Sequence, residues 1–343
     1  MKITNPKYLR DKMNELERSS GEILLESSDE GIIGSRNLKS GNWVRRTPAD
    51  IYWNGIRTYG IFTGGNMSQA EYFIVSCNLK SKNKIVKALG NRHDEAEENE
   101  RDDADAGGLF HTTFWKLPEY QSAQDVGDGW QKDLHIELTP IEAAFLKKQI
   151  IVNCPNTLLS FILANERKDF IQFQNFSEMG EALLPSLTAR MQDDIILAKA
   201  FSDFIYGARI RYNVILSEGK NEEAGEEWEA YMPDLLAKAN LDLDRIYNRL
   251  TIGNPSLRQF LNGLRSDMLN TDIAAMDNKI IRREIDLKTR SRAKLLKTGE
   301  FPIDTWFGGR RLDYQFGNAK RIVEDIFNGG CQIKALFLLH KAE

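Results

Sequence analysis

Between Asp193 and Glu218 the chain reads DDIILAKAFSDFIYGARIRYNVILSE, without a proline. Leu197, Phe201, Phe204, Ala208, Tyr212 and Ile215 recur there at steps of four and three. That period is the buried face of one long helix. A polar stripe runs beside it: Lys199, Ser202, Tyr206, Arg209 and Asn213. Such a stripe is ordinarily a solvated face. The alternative is a partner or ligand surface carried by Ser202, Tyr206, Arg209 and Asn213.

The rest of the chain patterns mostly as helix. Tyr8, Leu9, Met13 and Leu16 predict a short amphipathic helix from about Asn5 to Ser19. After a glycine-marked basic loop, Thr47 and Pro48 are the cap and first-turn residues of a second helix. Ile51, Ile56, Tyr59 and Tyr52 form its predicted inner face, and Gly60 ends it. Ser68 to Leu89 predicts a third helix. Thr139-Pro-Ile-Glu142 is a capping box opening a fourth that stops before Pro155, and a fifth begins near Asn156. Ser177 to Arg190 is helical, with Pro185 kinking or dividing it. EGKNEEAGEEWEAYMPD reads as an acidic connection. LLAKANLDLDRIYNRL, a segment opened by Pro255, and a long helix from about Thr271 through IIRREIDLKTRSRAKLL complete the helical set. LHIEL and RLDYQF are the strand candidates.

Composition narrows the class. The 343 residues are 41% hydrophobic and 28% charged, enough for one large domain or two ordinary ones. Cys77, Cys154 and Cys331 are far apart and match neither a metal spacing nor a disulfide framework, which predicts a reduced, cytoplasmic setting. No apolar run approaches the roughly 18 residues of a membrane helix, so no membrane partner is expected.

Charge is segregated. The formal net charge is -4, yet residues 282 to 321 hold eleven basic and five acidic side chains. A local positive field inside a negative chain points to a phosphate backbone or an acidic partner. Arg283, Arg290, Arg292, Arg310 and Arg311 are the candidates there. In the amino-terminal part Arg36, Arg45, Arg46 and Arg57 alternate with aromatics including Trp53, as in surfaces that hold phosphates and stack bases. The short helix and turn in that part resemble a winged-helix module. The opposite reading buries the aromatics and solvates the arginines. A run of eight acids between Asp94 and Asp105, flanked by His93 and His111, reads as a solvated loop.

No catalytic motif is present. The chain lacks a nucleophile elbow, paired cysteine ligands, an HExxH helix, a dinucleotide fingerprint and a phosphate loop. Its four histidines have no acid or serine partner at motif spacing. No catalytic residue, metal ligand or cofactor is assigned. A metal-dependent nuclease or other enzyme with carboxylates assembled only in the fold stays open.

The segments IYWNGIRTYGI, LTPIEAAFL, FSDFIYGARIRYN and RLDYQF, in that order, resemble an uncharacterised bacterial family catalogued as a domain of unknown function and often encoded near antiphage defence genes. The resemblance runs from about Gly31 to Phe327. Ser202, Gly207, Ala208, Tyr212 and Asn213 fall on its central pattern, and Leu312, Asp313 and Tyr314 on its terminal one. Family members carry an additional aromatic-rich amino-terminal segment, so a shortened or split member is expected. The resemblance implies a defence setting and protein partners, and it carries no catalytic residues.

The expected architecture is mainly α with minor β. It has a helix-turn or winged-helix-like module at 1–90, an acidic loop and irregular connection at 91–134, a helical bundle-like domain at 135–330 and a tail at 331–343. The expected function is a non-catalytic, nucleic-acid-contacting component of a bacterial antiphage defence complex, touching DNA or RNA. The alternatives are the nuclease or other enzyme and a pure protein-interaction scaffold.

Overall fold

The structure, a computed structural model, describes residues 5–27, 31–90, 114–118 and 134–340. The acidic run, His93 and His111 lie outside the described residues. The fold is mainly α-helical. Among the described residues the only β element is an antiparallel bridge between Phe62 and Trp115. Leu134 to Leu138 and Arg311 to Phe316, both expected as strands, are irregular apart from a first helical residue at Phe316. Tyr314 and Gln315 have φ of 52° and 60°, outside the β region.

The chain divides into two units, one of Met1–Ile171 with Ala319–Glu343, the other of Gln172–Asn318. The expected boundary near residue 135 moves because the helix after it packs into the first unit. That helix, α5 (Pro140–Asn153), follows α1 (Pro6–Ser27), α2 (Ser35–Lys39), α3 (Pro48–Thr58) and α4 (Gln69–Gly90), and precedes α6 (Leu158–Ala164). The capping box predicted at Thr139 is present, the Thr139 N–H donating to Glu142 at 2.9 Å. At the other end of α5 the Asn153 amide donates to the Tyr59 carbonyl at 2.9 Å.

In the first unit α1 continues past Ser19 to Ser27, and Gly21 on it leaves room for Leu38, whose Cδ1 lies 2.9 Å from where a Cβ would sit. Aromatic packing holds α3 and α4 together. The Trp53 ring lies 4.7 Å from Phe62 and 6.1 Å from Trp115, and the Trp115 indole N–H donates to the Tyr72 hydroxyl at 2.9 Å. The buried side of α3 is therefore Trp53, Ile56 and Tyr59, while Ile51 and Tyr52 are exposed. Among the described residues no β-wing accompanies this module. The last helix, α14 (Phe316–His340), extends to His340 within the expected tail. Gly329 on it faces Ala143 and the Leu138 carbonyl so closely that a Cβ would meet them at 2.7 and 2.8 Å.

The second unit is organised around α8 (Ala189–Leu216), which follows α7 (Phe176–Leu183). Its 28 residues span about 42 Å. Phe201, Phe204, Tyr206, Ile210 and Asn213 are all buried, so side chains are covered on more than one face. The segment expected as an acidic connection is α9 (Glu222–Tyr231), capped by Asn221, whose side chain accepts from the Ala224 N–H at 2.8 Å. Then come α10 (Leu235–Ala239), α11 (Leu243–Arg249), α12 (Pro255–Leu269) and α13 (Ile273–Lys288). Asp242, Asn254 and Asp272 cap the last three. The basic helix expected to run through Leu296 ends at Lys288, where Thr289 takes φ 69°.

Gly207 sets the spacing of α8 and α9. A Cβ there would lie 2.7 Å from the Tyr231 hydroxyl oxygen, and the open position lets that hydroxyl donate to the Asp203 carbonyl at 2.9 Å. Arg211 on α8 grips Asp277 on α13 through two hydrogen bonds of 2.8 and 2.6 Å. Lys279 on α13 holds the buried Asp267 of α12 at 2.6 Å.

Candidate functional site

The polar stripe of α8 is not solvated. Ser202, Tyr206 and Asn213 are buried, and Arg209 and Lys199 are half-buried. The cover is the chain's own irregular segment from Phe301 to Gln315, which we call the strap. A strap without regular structure must find partners for its peptide groups, and the stripe supplies them. The Asn213 Oδ1 accepts from the Phe307 N–H at 2.7 Å, and its Nδ2 donates to the Phe307 carbonyl at 3.1 Å. Arg209 donates to the Arg310 carbonyl. The Ser202 hydroxyl accepts from the Leu312 N–H at 2.8 Å and donates to the Leu312 carbonyl at 3.3 Å. The Tyr314 hydroxyl donates to the Ala198 carbonyl at 2.7 Å.

These contacts run antiparallel to the helix. From Asn213 back to Ala198 is about 22 Å at the helical rise. From Phe307 to Tyr314 is about 23 Å at the strand rise, so the strap lies extended along the stripe. Asn221 fixes its beginning by donating to the Ile303 carbonyl at 2.6 Å. The candidate partner or ligand surface at Ser202, Tyr206, Arg209 and Asn213 is thus covered from within the chain.

Aromatic and charged groups lie over the same seam. The Tyr206 and Trp306 rings stack with centroids 6.2 Å apart. Arg310 lies 4.6 Å over Trp306 and pairs with Glu223; Arg311 lies 4.4 Å over Tyr206 and pairs with Asp203. Burial, assisted by Glu227, pushes the Tyr206 hydroxyl up to about 12, so it stays protonated. Burial pulls Arg209 below the ordinary arginine value, with Tyr314 and Asp313 partly restoring it.

Beside the seam, α8, α12, α13 and the strap enclose a groove of 480 Å³. Phe260, Ile280 and Phe307 are among its apolar walls, and Arg209, Arg283, Lys288 and Lys294 bring positive charge. Glu284 is its carboxylate. Its Oε1 accepts from Tyr212 at 2.7 Å and Lys288 at 3.0 Å, and its Oε2 accepts from the Leu295 N–H at 2.9 Å. Burial alone would raise its pKa, but these hydrogen bonds outweigh burial and hold it below the ordinary carboxylate value.

The basic candidates therefore divide. Arg310 and Arg311 are committed to the strap, and Arg283 lines the groove. Arg290 and Arg292 are exposed in the turn after α13, as are Arg36, Arg45 and Arg46 in the first unit. Trp53 is packed in the aromatic core, its indole N–H donating to the Met67 carbonyl at 3.1 Å. Arg57 is half-buried and donates to Asn66 at 3.0 Å. Neither presents the open side chain that base stacking or phosphate contact requires. Asp193 and Asp194 pair with Arg245 and Arg249. Among the described residues no group of three or more metal-capable side chains comes together.

Sequence reasoning missed the strap, Glu284 and Lys294. The legible signal was the stripe itself: Ser202 and Asn213 are short polar residues on one helix face, suited to bonding a neighbouring backbone. No protein-family model, curated protein or solved structure matches the chain.

Proposed function

We propose that the protein is a non-catalytic component that contacts nucleic acid, with Arg290 and Arg292 as the principal phosphate-binding side chains of the second unit. The observation that carries this reading is the state of the turn. The Thr289 carbonyl accepts from the Arg292 and Ala293 N–H groups at 3.2 and 3.0 Å, and Ala293 is buried beneath it. The stem is fixed while both guanidiniums are exposed, and among the described residues neither forms an ion pair. Uncompensated cations on a fixed turn suit a phosphate backbone, because the backbone that carries them loses little freedom on binding. Arg36, Arg45 and Arg46 are a second exposed basic group, in the first unit. An antiphage defence setting with protein partners belongs to the same proposal and is supported by the resemblance of the four segments alone.

The test is binding of the full chain to labelled duplex DNA, single-stranded DNA and RNA across a salt series, with and without magnesium. Steeply salt-dependent binding that weakens in Arg290→Ala plus Arg292→Ala supports the reading. Absence of binding at low salt, or an unchanged affinity in the double variant, overturns it. Cleavage in magnesium overturns the non-catalytic part.

A further inference from the structure

The 480 Å³ groove has a composition that the nucleic-acid reading does not use. Its volume is in the range of small-molecule sites, roughly 300 to 1,000 Å³. Ile205, Leu257, Phe260, Ile280 and Phe307 supply apolar wall, and Leu287 stands exposed at it. Cations in such a wall need a counter-ion. Lys288 has one in Glu284. Arg209, Arg283 and Lys294 form no ion pair among the described residues. Arg209 donates to a carbonyl, and Arg283 donates to the Ser256 hydroxyl at 3.0 Å. The Lys294 ammonium sits 4.1 Å over the Phe307 ring and 5.0 Å over Phe301.

Glu284 does not neutralise these three. Both of its oxygens already accept from Tyr212, Lys288 and the Leu295 N–H. A half-buried guanidinium without a carboxylate is a costly arrangement that an incoming anion relieves. The wall also offers little to read a polar body. Its Tyr212 hydroxyl and Glu284 carboxylate are bonded to each other, so a nucleobase would lose hydrogen bonds to water without replacement.

We propose that this groove binds an amphipathic anion, with an acyl or aromatic body against the apolar wall and a carboxylate or phosphate head held by Arg209, Arg283 and Lys294. Charge complementarity fixes the head, and the apolar lining fixes the body. The strap forms one wall through Phe307, Gly308 and Gly309, so an occupant touches the segment that covers the α8 stripe. Occupancy therefore steadies the strap, a consequence of linkage.

The experiment is calorimetric titration of the full chain with decanoate, decyl phosphate and decanol, each below its aggregation concentration. Saturable one-to-one binding is expected for at least one anion, with decanol weaker by about tenfold or more. The tighter of the two anions identifies the head. Arg283→Gln and, separately, Lys294→Gln lower anion affinity by about tenfold in a protein that circular dichroism shows to be folded as the parent. Slower amide exchange between residues 305 and 310 on binding locates the ligand at the strap. Equal affinity for decanol, non-saturable uptake, or full affinity in both variants overturns the proposal. None of these outcomes depends on Arg290 or Arg292, so this site and the nucleic-acid contact fail or stand separately.

Discussion

The Asn213 carboxamide meets the Phe307 peptide edge to edge, accepting from its N–H at 2.7 Å and donating to its carbonyl at 3.1 Å. A helix side chain here takes the place that a neighbouring strand would hold in a ladder. One buried residue satisfies both peptide groups of the strap at the same point.

This relationship predicts that Asn213→Ala loosens the strap out of proportion to the atoms removed. Two part-buried peptide groups lose their partner, at a cost of about 1–3 kcal/mol. Urea unfolding would show the loss, and hydrogen exchange would show it concentrated between residues 301 and 315. Asn213→Asp keeps the acceptor but presents a second oxygen to the Phe307 carbonyl, so it does not restore stability. Uniform exchange in both variants would mean that the strap is held elsewhere.

The contribution of the flanking ion pairs is small by comparison. Arg310–Glu223 and Arg311–Asp203 are all about half exposed or a little less. Pairs of that kind contribute about 1 kcal/mol or less. Glu223→Gln and Asp203→Asn therefore each shift the unfolding free energy by under about 1 kcal/mol, and raised salt reproduces most of the effect. A larger loss in either variant would make charge rather than peptide hydrogen bonding the strap's main fastening.

Much of the helical scaffold was legible because its signals are local. The Thr139 capping box, the Pro185 division and the unbroken helical run of α8 all follow from short-range geometry, although of the face its period marked for burial only Phe201 and Phe204 are buried. The sequence reading failed where a polar residue meets something distant. It also missed two local caps: Asn221, in the stretch read as an acidic connection, caps α9, and Asp242 caps α11, which splits the carboxyl-terminal half more finely than periodicity indicates. The α8 stripe looked exposed because its partner, a strap about a hundred residues away, presents only backbone, and backbone has no sequence signature. FSDFIYGARIRYN and RLDYQF, both conspicuous in the sequence, meet at Ser202–Leu312. Trp53 stood between two readings for a related reason: alternation of arginine and aromatic residues does not say which of them turns inward.

Gly207 provides a test of close packing. The Cβ of Gly207→Ala would approach Tyr231 ring and hydroxyl atoms to 2.7 Å, and that ring is 3% exposed and cannot swing aside. Overpacking of this kind costs about 1–3 kcal/mol, more than the helix propensity gained from alanine. A double-mutant cycle with Tyr231→Ala checks the cause. Removing the ring abolishes the clash, so the two losses are strongly non-additive. Additive losses would assign the effect of Gly207→Ala to something other than Tyr231.

Glu284 gives a pH dependence with a definite sign. Burial opposes ionisation, but hydrogen bonds from Leu295, Tyr212 and Lys288 more than compensate, leaving its pKa below the ordinary 4.5. The unfolded chain then binds the proton more tightly than the folded one. The carboxylate's stabilisation is full above the unfolded value and is lost as pH falls through the folded value. Urea unfolding of the parent and Glu284→Gln from about pH 3 to 7 should show the variant less stable at neutral pH by about 2–3 kcal/mol, with the gap closing in acid. Parallel profiles would show that Glu284 is not the group responsible.

Trp53 separates a core residue from a stacking platform. Its ring packs on Phe62, Tyr72 and Trp115, and its N–H is satisfied by Met67. Trp53→Ala should destabilise the first unit by about 3–5 kcal/mol, the usual loss for an aromatic core truncation. Trp53→Phe retains a ring at that position and leaves a folded protein. If nucleic acid is held by exposed cations, the phenylalanine variant binds with parental affinity while Arg45→Ala plus Arg46→Ala weakens binding and reduces its salt slope. A well-folded Trp53→Phe protein that bound single strands markedly less well would instead assign the indole a direct contact with bases, through an opening of the aromatic cluster.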